Sequence, residues 1–214
     1  MADIDVIPAI AESKWEEFTK KVLLVSSFVR WLHVYVSDGT MGTSQTLTDF
    51  SKLSILTSQY PGLSFEAHLL TANPEKYVRT LADAGFTRLI AHVESNDPRR
   101  FLEEAKYDEV EVGIALDGAT ELEQVEPFLE EVDCVVVMTA EAGSVAGAFL
   151  PEAVENVKLI RQHYPDLPIE VVGGITGATV QAVKGAGATR IVSSDFIFKN
   201  PDAVASAIEA LKHG

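Results

Sequence analysis

The run Trp31-Leu-His-Val-Tyr-Val36, closed by Ser37-Asp38-Gly39, decides how the rest of the chain is read. It is short, largely apolar and partly β-branched, and Asp38 before Gly39 is the kind of pair that turns a chain at a strand end. A strand with so few polar positions suits a parallel sheet whose outer face is covered by helices. The amphipathic stretch 47–59 that follows has the length of such a covering helix. The same pairing recurs along the chain. Apolar runs lie at 4–10, 31–36, 64–69, 88–93, 110–116, 133–138, 169–172 and 190–193. Helical patterns lie between and after them, at 13–29, 47–59, 74–84, 98–106, 121–130, 151–163, 177–185 and 202–212. Pro74, Pro98 and Pro151 stand where a first helical turn tolerates a missing amide hydrogen, and Gly85, Gly185 and Gly187 where helices stop.

Eight strand–helix units at about 27 residues each predict a (β/α)8 TIM barrel of minimum size, one domain over residues 1–214. A doubly wound open sheet is the alternative. It usually carries a glycine fingerprint after its first strand, and Pro8-Ala-Ile-Ala-Glu-Ser13 has none.

Composition narrows the partners. The 17 Lys and Arg against 32 Asp and Glu give a net charge of -15, which repels phosphate backbones and anionic lipid at long range. Neither nucleic acid nor a membrane is therefore expected as a partner. A small anion remains compatible if local amides meet its charge. No apolar run reaches the roughly 18 residues of a membrane span, and Met1-Ala-Asp-Ile-Asp-Val6 lacks the basic start of a signal peptide. A soluble, cytoplasmic protein is the expectation. The lone Cys134, inside an apolar run, reads as a small buried hydrophobe and excludes an intrachain disulfide.

Chemistry in such a barrel gathers where strands end and loops begin. The residues to examine are Ala9, His33, Tyr35, Asp38, His68, His92, Glu94, Asp117, Met138, Glu141, Val172, Ser193, Ser194 and Asp195. At these places the sequence resembles the ribulose-phosphate 3-epimerase family. Trp31-Leu-His-Val-Tyr-Val-Ser-Asp-Gly39 resembles its W-[IL]-H-x-D-x-M-D-G, and Ala67-His-Leu-Leu-Thr-Ala-Asn-Pro-Glu-Lys-Tyr77 its V-H-L-M-x-x-N-P-[ED]-x-Y. Met138-Thr with Gly143 and Phe149-Leu-Pro151, Glu170-Val-Val-Gly-Gly-Ile175 and 191–198 continue the likeness in register over nearly the whole chain.

The resemblance implies a barrel, and an epimerase that inverts the carbon beside a ketone in a pentulose phosphate. In the family one carboxylate removes a proton and a second returns one on the opposite face. A divalent metal held by two histidines and the same two aspartates stabilises the enediolate. His33 and His68 fall on the histidine positions, but Tyr35 and Val172 fall on the aspartates. Valine neither accepts a proton nor coordinates an ion, and a phenol of pKa about 10 is a poor base at neutral pH. Losing an acid and a base costs on the order of 10²–10⁴-fold each, together roughly 5–11 kcal/mol of barrier. Two imidazoles alone are a weak divalent site. No catalytic residue and no metal is therefore assigned, and no cofactor, zinc included, is expected.

The resemblance also implies a phosphate cradle of backbone amides after the last three strands. Gly173 and Gly174 are kept and Gly143 partly preserves the sixth-strand loop, whereas Ser194-Asp195 replaces a Gly-Ser pair. Ala9 replaces a serine, and Ser37 and Leu70 replace methionines of which only Met138 survives. His33, His68, Met138, Gly143, Gly173, Gly174 and Ser194 form the expected binding set for a small phosphorylated sugar or anion. Blander readings stand beside it. The two histidines are equally read as polar fillers of the barrel, His92 as a loop-orienting residue, and Tyr35 as a plug over the former metal position or a ligand contact.

Three functions stay open. One is a diverged epimerase-like barrel without the metal chemistry. Another is an active carbohydrate-phosphate epimerase using substitutes such as Asp38, Asp117 or Glu94. The last is a scaffold that joins a partner or, as a homo-oligomer, itself.

Overall fold

The computed structural model describes residues 4–42, 45–46, 49–140 and 148–214. Eight parallel strands close into a barrel in sequence order, the last pairing with the first. They are β1 (Asp5–Ile10), β2 (Trp31–Ser37), β3 (Ser64–Leu70), β4 (Arg88–His92), β5 (Glu111–Leu116), β6 (Cys134–Met138), β7 (Ile169–Val172) and β8 (Arg190–Ser193). The expected TIM barrel is the fold.

Strand alternation divides the core in two. Leu32, Val34 and Val36 of β2, Val135 and Val137 of β6, and Ile169 and Val171 of β7 face outward into the large apolar annulus under the helices. Ile7, Ala9, Ile90, Ala115, Cys134, Val136, Met138, Val172 and Val192 face inward and fill the barrel, with Trp31 and Tyr35 against them. Cys134 is fully buried there, as its apolar neighbours imply.

The covering helices are α1 (Trp15–Val25), α2 (Phe50–Gln59), α3 (Val78–Asp83), α4 (Pro98–Tyr107), α5 (Leu122–Val125), α6 (Ala153–His163), α7 (Val180–Ala186), α8 (Asp195–Phe198) and α9 (Val204–His213). Their inward stripes follow helical spacing, as Phe18, Val22 and Val25 do on α1. The Asp97 side chain caps α4 by accepting from the Arg100 amide at 3.0 Å, and Pro98 begins that helix.

Several expected helices are shorter or divided. The stretch 121–130 breaks into α5 and a 3₁₀ turn over Glu126–Phe128, because Pro127 has no amide to continue the ladder. The stretch 74–84 starts as a 3₁₀ turn over Pro74–Tyr77 that leads into α3. Gly185 lies inside α7, and it is Gly187, at φ +109°, that ends the helix. The one-turn α8 begins at Asp195, between β8 and the stretch expected as the last helix. Among the described residues no helix is long and apolar enough to cross a membrane.

Candidate functional site

Inward positions of β2, β3, β4 and β7 carry polar side chains in a barrel filled largely with apolar ones. At its inner end, Arg88 of β4 donates to Glu66 Oε2 of β3 at 2.6 Å and to Glu111 Oε2 of β5 at 2.6 and 2.9 Å. The Trp31 ring lies 3.9 Å from the guanidinium carbon, a cation–π contact that closes this end of the barrel. The other oxygen of Glu66 is 2.8 Å from His33 Nδ1, and Glu170 Oε1 of β7 is 3.2 Å from the same nitrogen. Among the described residues, neither buried oxygen of Glu170 has a hydrogen-bond partner.

These environments separate the two carboxyls. Burial would raise Glu66, but His33 and Arg88 outweigh it and hold the group below the usual carboxylate range. Burial and the neighbouring Glu66 charge push Glu170 above the usual carboxylate range. For His33, burial alone would lower the pKa, yet the close carboxyls of Glu170 and Glu66 raise it to about 9.

The ladder continues outward through imidazoles. His33 Nε2 is 3.0 Å from His68 Nδ1, and His68 Nε2 is 2.8 Å from His92 Nε2. His92 Nδ1 is 3.0 Å from Glu94 Oε2 at the barrel rim. Glu94 Oε1 accepts from the Asp117 amide at 2.8 Å and from the Thr120 hydroxyl, tying the loop after β4 to the loop after β5. Burial would raise Glu94, but the hydrogen bonds from His92, Thr120 and the Asp117 amide bring it to about 2. His68 has an imidazole on either side and no anion, and burial with those neighbours holds it well below the ordinary histidine value.

Tyr35 covers this ladder. Its ring lies over His68 at 5.2 Å between centroids and meets His33 edge-on at 4.8 Å. Burial raises the phenol further above the ordinary tyrosine value, so it stays neutral. Val172 is buried in the same apolar cluster as Met138.

Each nitrogen of His33 and His68 therefore already faces a partner, and Tyr35 and Val172 bring no carboxylate to the pair. Among the described residues, the set of three groups able to surround an ion is His33, Glu66 and Glu170, whose ligand atoms lie within 4.8 Å of one another. It uses the Nδ1 side of His33, away from His68. The 2.8 Å contact within it has the length of a shared hydrogen, whereas two ligands of a tetrahedral zinc stand about 3.3 Å apart.

On the opposite wall, the turn after β7 is held from two sides. Gly173 and Gly174 have φ of +113° and +63°, and a Cβ on Gly174 would come within 2.7 Å of the Phe149 amide nitrogen. Thr139 Oγ1 donates to the Gly173 carbonyl at 2.5 Å and Thr179 Oγ1 to the Gly174 carbonyl at 3.0 Å. Glycine is thus required here by backbone conformation and by close approach. Ser194 precedes α8, whose first residue is Asp195. Gly143 and Glu141 lie outside the described residues.

His33 and His68, expected as binding residues, form the buried middle of the ladder, and His92, read as loop-orienting, joins them end to end. Asp38 is the turn residue expected, bonded to Thr40, and also accepts from Thr71 Oγ1 at 2.7 Å and Tyr77 OH at 2.9 Å. Burial would raise it, but these hydrogen bonds lower it to about 2. Glu66, Arg88 and Glu170 were not anticipated as parts of the site. The available signal was a charged residue at an inward position of a strand that is otherwise apolar.

A family model described as the ribulose-phosphate 3 epimerase family matches residues 5–198. The ribulose-phosphate 3-epimerase of Schizosaccharomyces pombe is 31% identical over 214 residues, covering 97% of this chain and 93% of that protein. A relative from Oryza sativa subsp. japonica, named as the cytoplasmic isoform, is 34% identical over 193 residues, covering 86% and 83%. Among solved structures, a 3-hexulose-6-phosphate synthase from Salmonella typhimurium superposes with a TM-score of 0.75 at 16% identity, over 98% of this chain and 97% of the other. That likeness speaks to the fold alone.

Proposed function

The chain belongs to the ribulose-phosphate 3-epimerase family, and from that premise we propose that it is a diverged member that has given up the metal-dependent two-carboxylate reaction. It keeps a barrel mouth for a small phosphorylated sugar or another small anion. The observation that carries this reading is Tyr35 lying over His68 and against His33, with Val172 buried at the other aspartate position. The proton shuttle needs two opposed acid–base groups, and here those places hold a neutral phenol and an isopropyl group. The divalent ion needs at least three protein ligands, and the two imidazoles are engaged with each other. The residues present do not fit the family's metal.

Two of the substitute carboxylates fare no better. Asp38 and Glu94 are each held at about 2 by several hydrogen bonds, far below a base working at neutral pH. Anion binding is supported by the glycine turn after β7, kept against a tight backbone approach. A cytoplasmic setting accords with the name of the rice relative.

The test is ribulose 5-phosphate turnover with and without added zinc, manganese or iron(II), beside thermal shifts with inorganic phosphate and pentulose phosphates. No epimerisation under any metal and stabilisation by a sugar phosphate is the expected result. Robust metal-dependent turnover would end the proposal.

A further inference from the structure

We infer that one extra proton, shared along His33, His68 and His92 between Glu66 and Glu94, takes the electrostatic place that a divalent cation has in the family. This rests on the reading that the metal is absent.

The argument is a count of hydrogens. Four contacts of 2.8–3.0 Å run from Glu66 to His33, His33 to His68, His68 to His92 and His92 to Glu94. Each is a hydrogen bond and each holds one hydrogen. The two end contacts are made to carboxylate oxygens, which accept, so those hydrogens come from the rings. The two ring-to-ring contacts need one hydrogen each, also from the rings. Four hydrogens therefore sit on six ring nitrogens, while three neutral imidazoles supply three. One ring is an imidazolium.

His33 is the ring that carries it. Its Nδ1 faces Glu66 and Glu170 at 2.8 and 3.2 Å, while His68 has only imidazoles on its nitrogens. With His33 doubly protonated, every role follows. His33 Nε2–H donates to His68 Nδ1, His68 Nε2–H donates to His92 Nε2, and His92 Nδ1–H donates to Glu94. All three rings are fully buried, so an unmade bond would be costly and the ladder stays closed.

The charge balance explains why a proton suffices. Replacing two carboxylates by Tyr35 and Val172 leaves a doubly charged ion without its anionic ligands. A single positive charge on His33 joins Arg88 and Arg190 against Glu66 and Glu111, and burial with the Glu66 charge disfavours a further charge on Glu170. The neighbouring phenol of Tyr35 and thiol of Cys134 are pushed up by burial and remain uncharged.

The same ladder is a relay. If the His33 Nε2 hydrogen moves to His68 Nδ1 and the His68 Nε2 hydrogen moves to His92 Nε2, the positive charge passes from His33 to His92. No bond to carbon changes and hydrogens are conserved. The outer end is Glu94, whose side chain is 25% exposed at the rim. The barrel core thus holds a positive charge that can be presented toward the mouth.

The test uses the full-length protein, uniformly labelled with ¹⁵N, near pH 7. Long-range ¹H–¹⁵N spectra of the histidine rings are recorded beside the metal content of the protein as purified and after exposure to zinc. Both His33 nitrogens should appear protonated, with one protonated nitrogen each on His68 and His92, and no bound metal. His92→Phe should abolish the slowly exchanging His68 Nε2–H signal. Glu94→Gln, which alters only the rim, should shift the His92 Nδ1–H signal and leave His33 doubly protonated. Three rings with one protonated nitrogen each and no metal would overturn the ladder while sparing the metal-free reading. A metal ion bound by both His33 and His68 would overturn the two together.

Discussion

The phenol ring of Tyr35 and the imidazole of His68 are register partners on β2 and β3 and lie face to face, 5.2 Å apart with planes inclined by 27°. An aromatic roof thus occupies the place from which an aspartate would reach an ion beside the histidines. The double variant Tyr35→Asp plus Val172→Asp is expected to bind zinc or manganese stoichiometrically by calorimetry, where the parent shows no uptake. A folded double variant that takes up no ion would mean that more than these two side chains separates the chain from its relatives.

The two buried glutamates are expected to respond unequally. Glu66 is ion-paired with Arg88 and His33, so Glu66→Gln takes the ionised partner from His33 and leaves Arg88 with Glu111 alone, and should cost about 3–5 kcal/mol. Glu170 is already pushed toward its neutral form, and Glu170→Gln should cost under about 1.5 kcal/mol. Urea denaturation of both variants at neutral pH makes the comparison. Equal losses would mean that Glu170 is ionised in the native barrel.

Stability should fall on the alkaline side. His33 titrates at about 9 in the folded protein against about 6.5 unfolded. Its protonated form is therefore favoured by folding, with the full contribution below pH 6.5 and progressive loss as the pH rises through 9. The shift corresponds to about 3 kcal/mol. Unfolding free energies measured from pH 6 to 10 should show that decline in the parent, and a His33→Gln variant should lack it. A flat profile in the parent would contradict the assignment.

Gly174→Ala places a Cβ within 2.7 Å of the Phe149 amide at a backbone φ of +63°. A loss of roughly 1–3 kcal/mol is expected, together with weaker stabilisation by sugar phosphates. Differential scanning fluorimetry with and without ligand measures both effects. An unchanged melting temperature would show that the turn relaxes freely.

Asp38→Ala removes the acceptor shared by Thr40, Thr71 and Tyr77, which links the end of β2 to the turn after β3. The expected loss is on the order of 1–3 kcal/mol, with faster amide exchange at residues 38–42 and 71–77. Hydrogen exchange mass spectrometry resolves whether the loosening is local.

Much of the fold was legible in the primary structure, because strand and helix periodicities and their punctuation are local properties of the chain. Trp31–Ser37, Ile169–Val172 and Arg190–Ser193 come out as strands within a residue of the expected bounds. The interruption of the fifth helix by Pro127 was equally local and readable in hindsight. The two missing aspartates could also be read directly, since Tyr35 and Val172 occupy their places in otherwise matching motifs.

Tertiary structure decided what the remaining polar residues do. His33, Glu66, Arg88, His92 and Glu170 are scattered over four strands, and nothing in their spacing ties one to another. Closure of the barrel, with its strand register, turns the inward positions of β2, β3, β4 and β7 toward one another and excludes water from between them. In that dry interior a polar atom without a partner is costly, and only the three-dimensional arrangement of donors and acceptors sets which ring is charged.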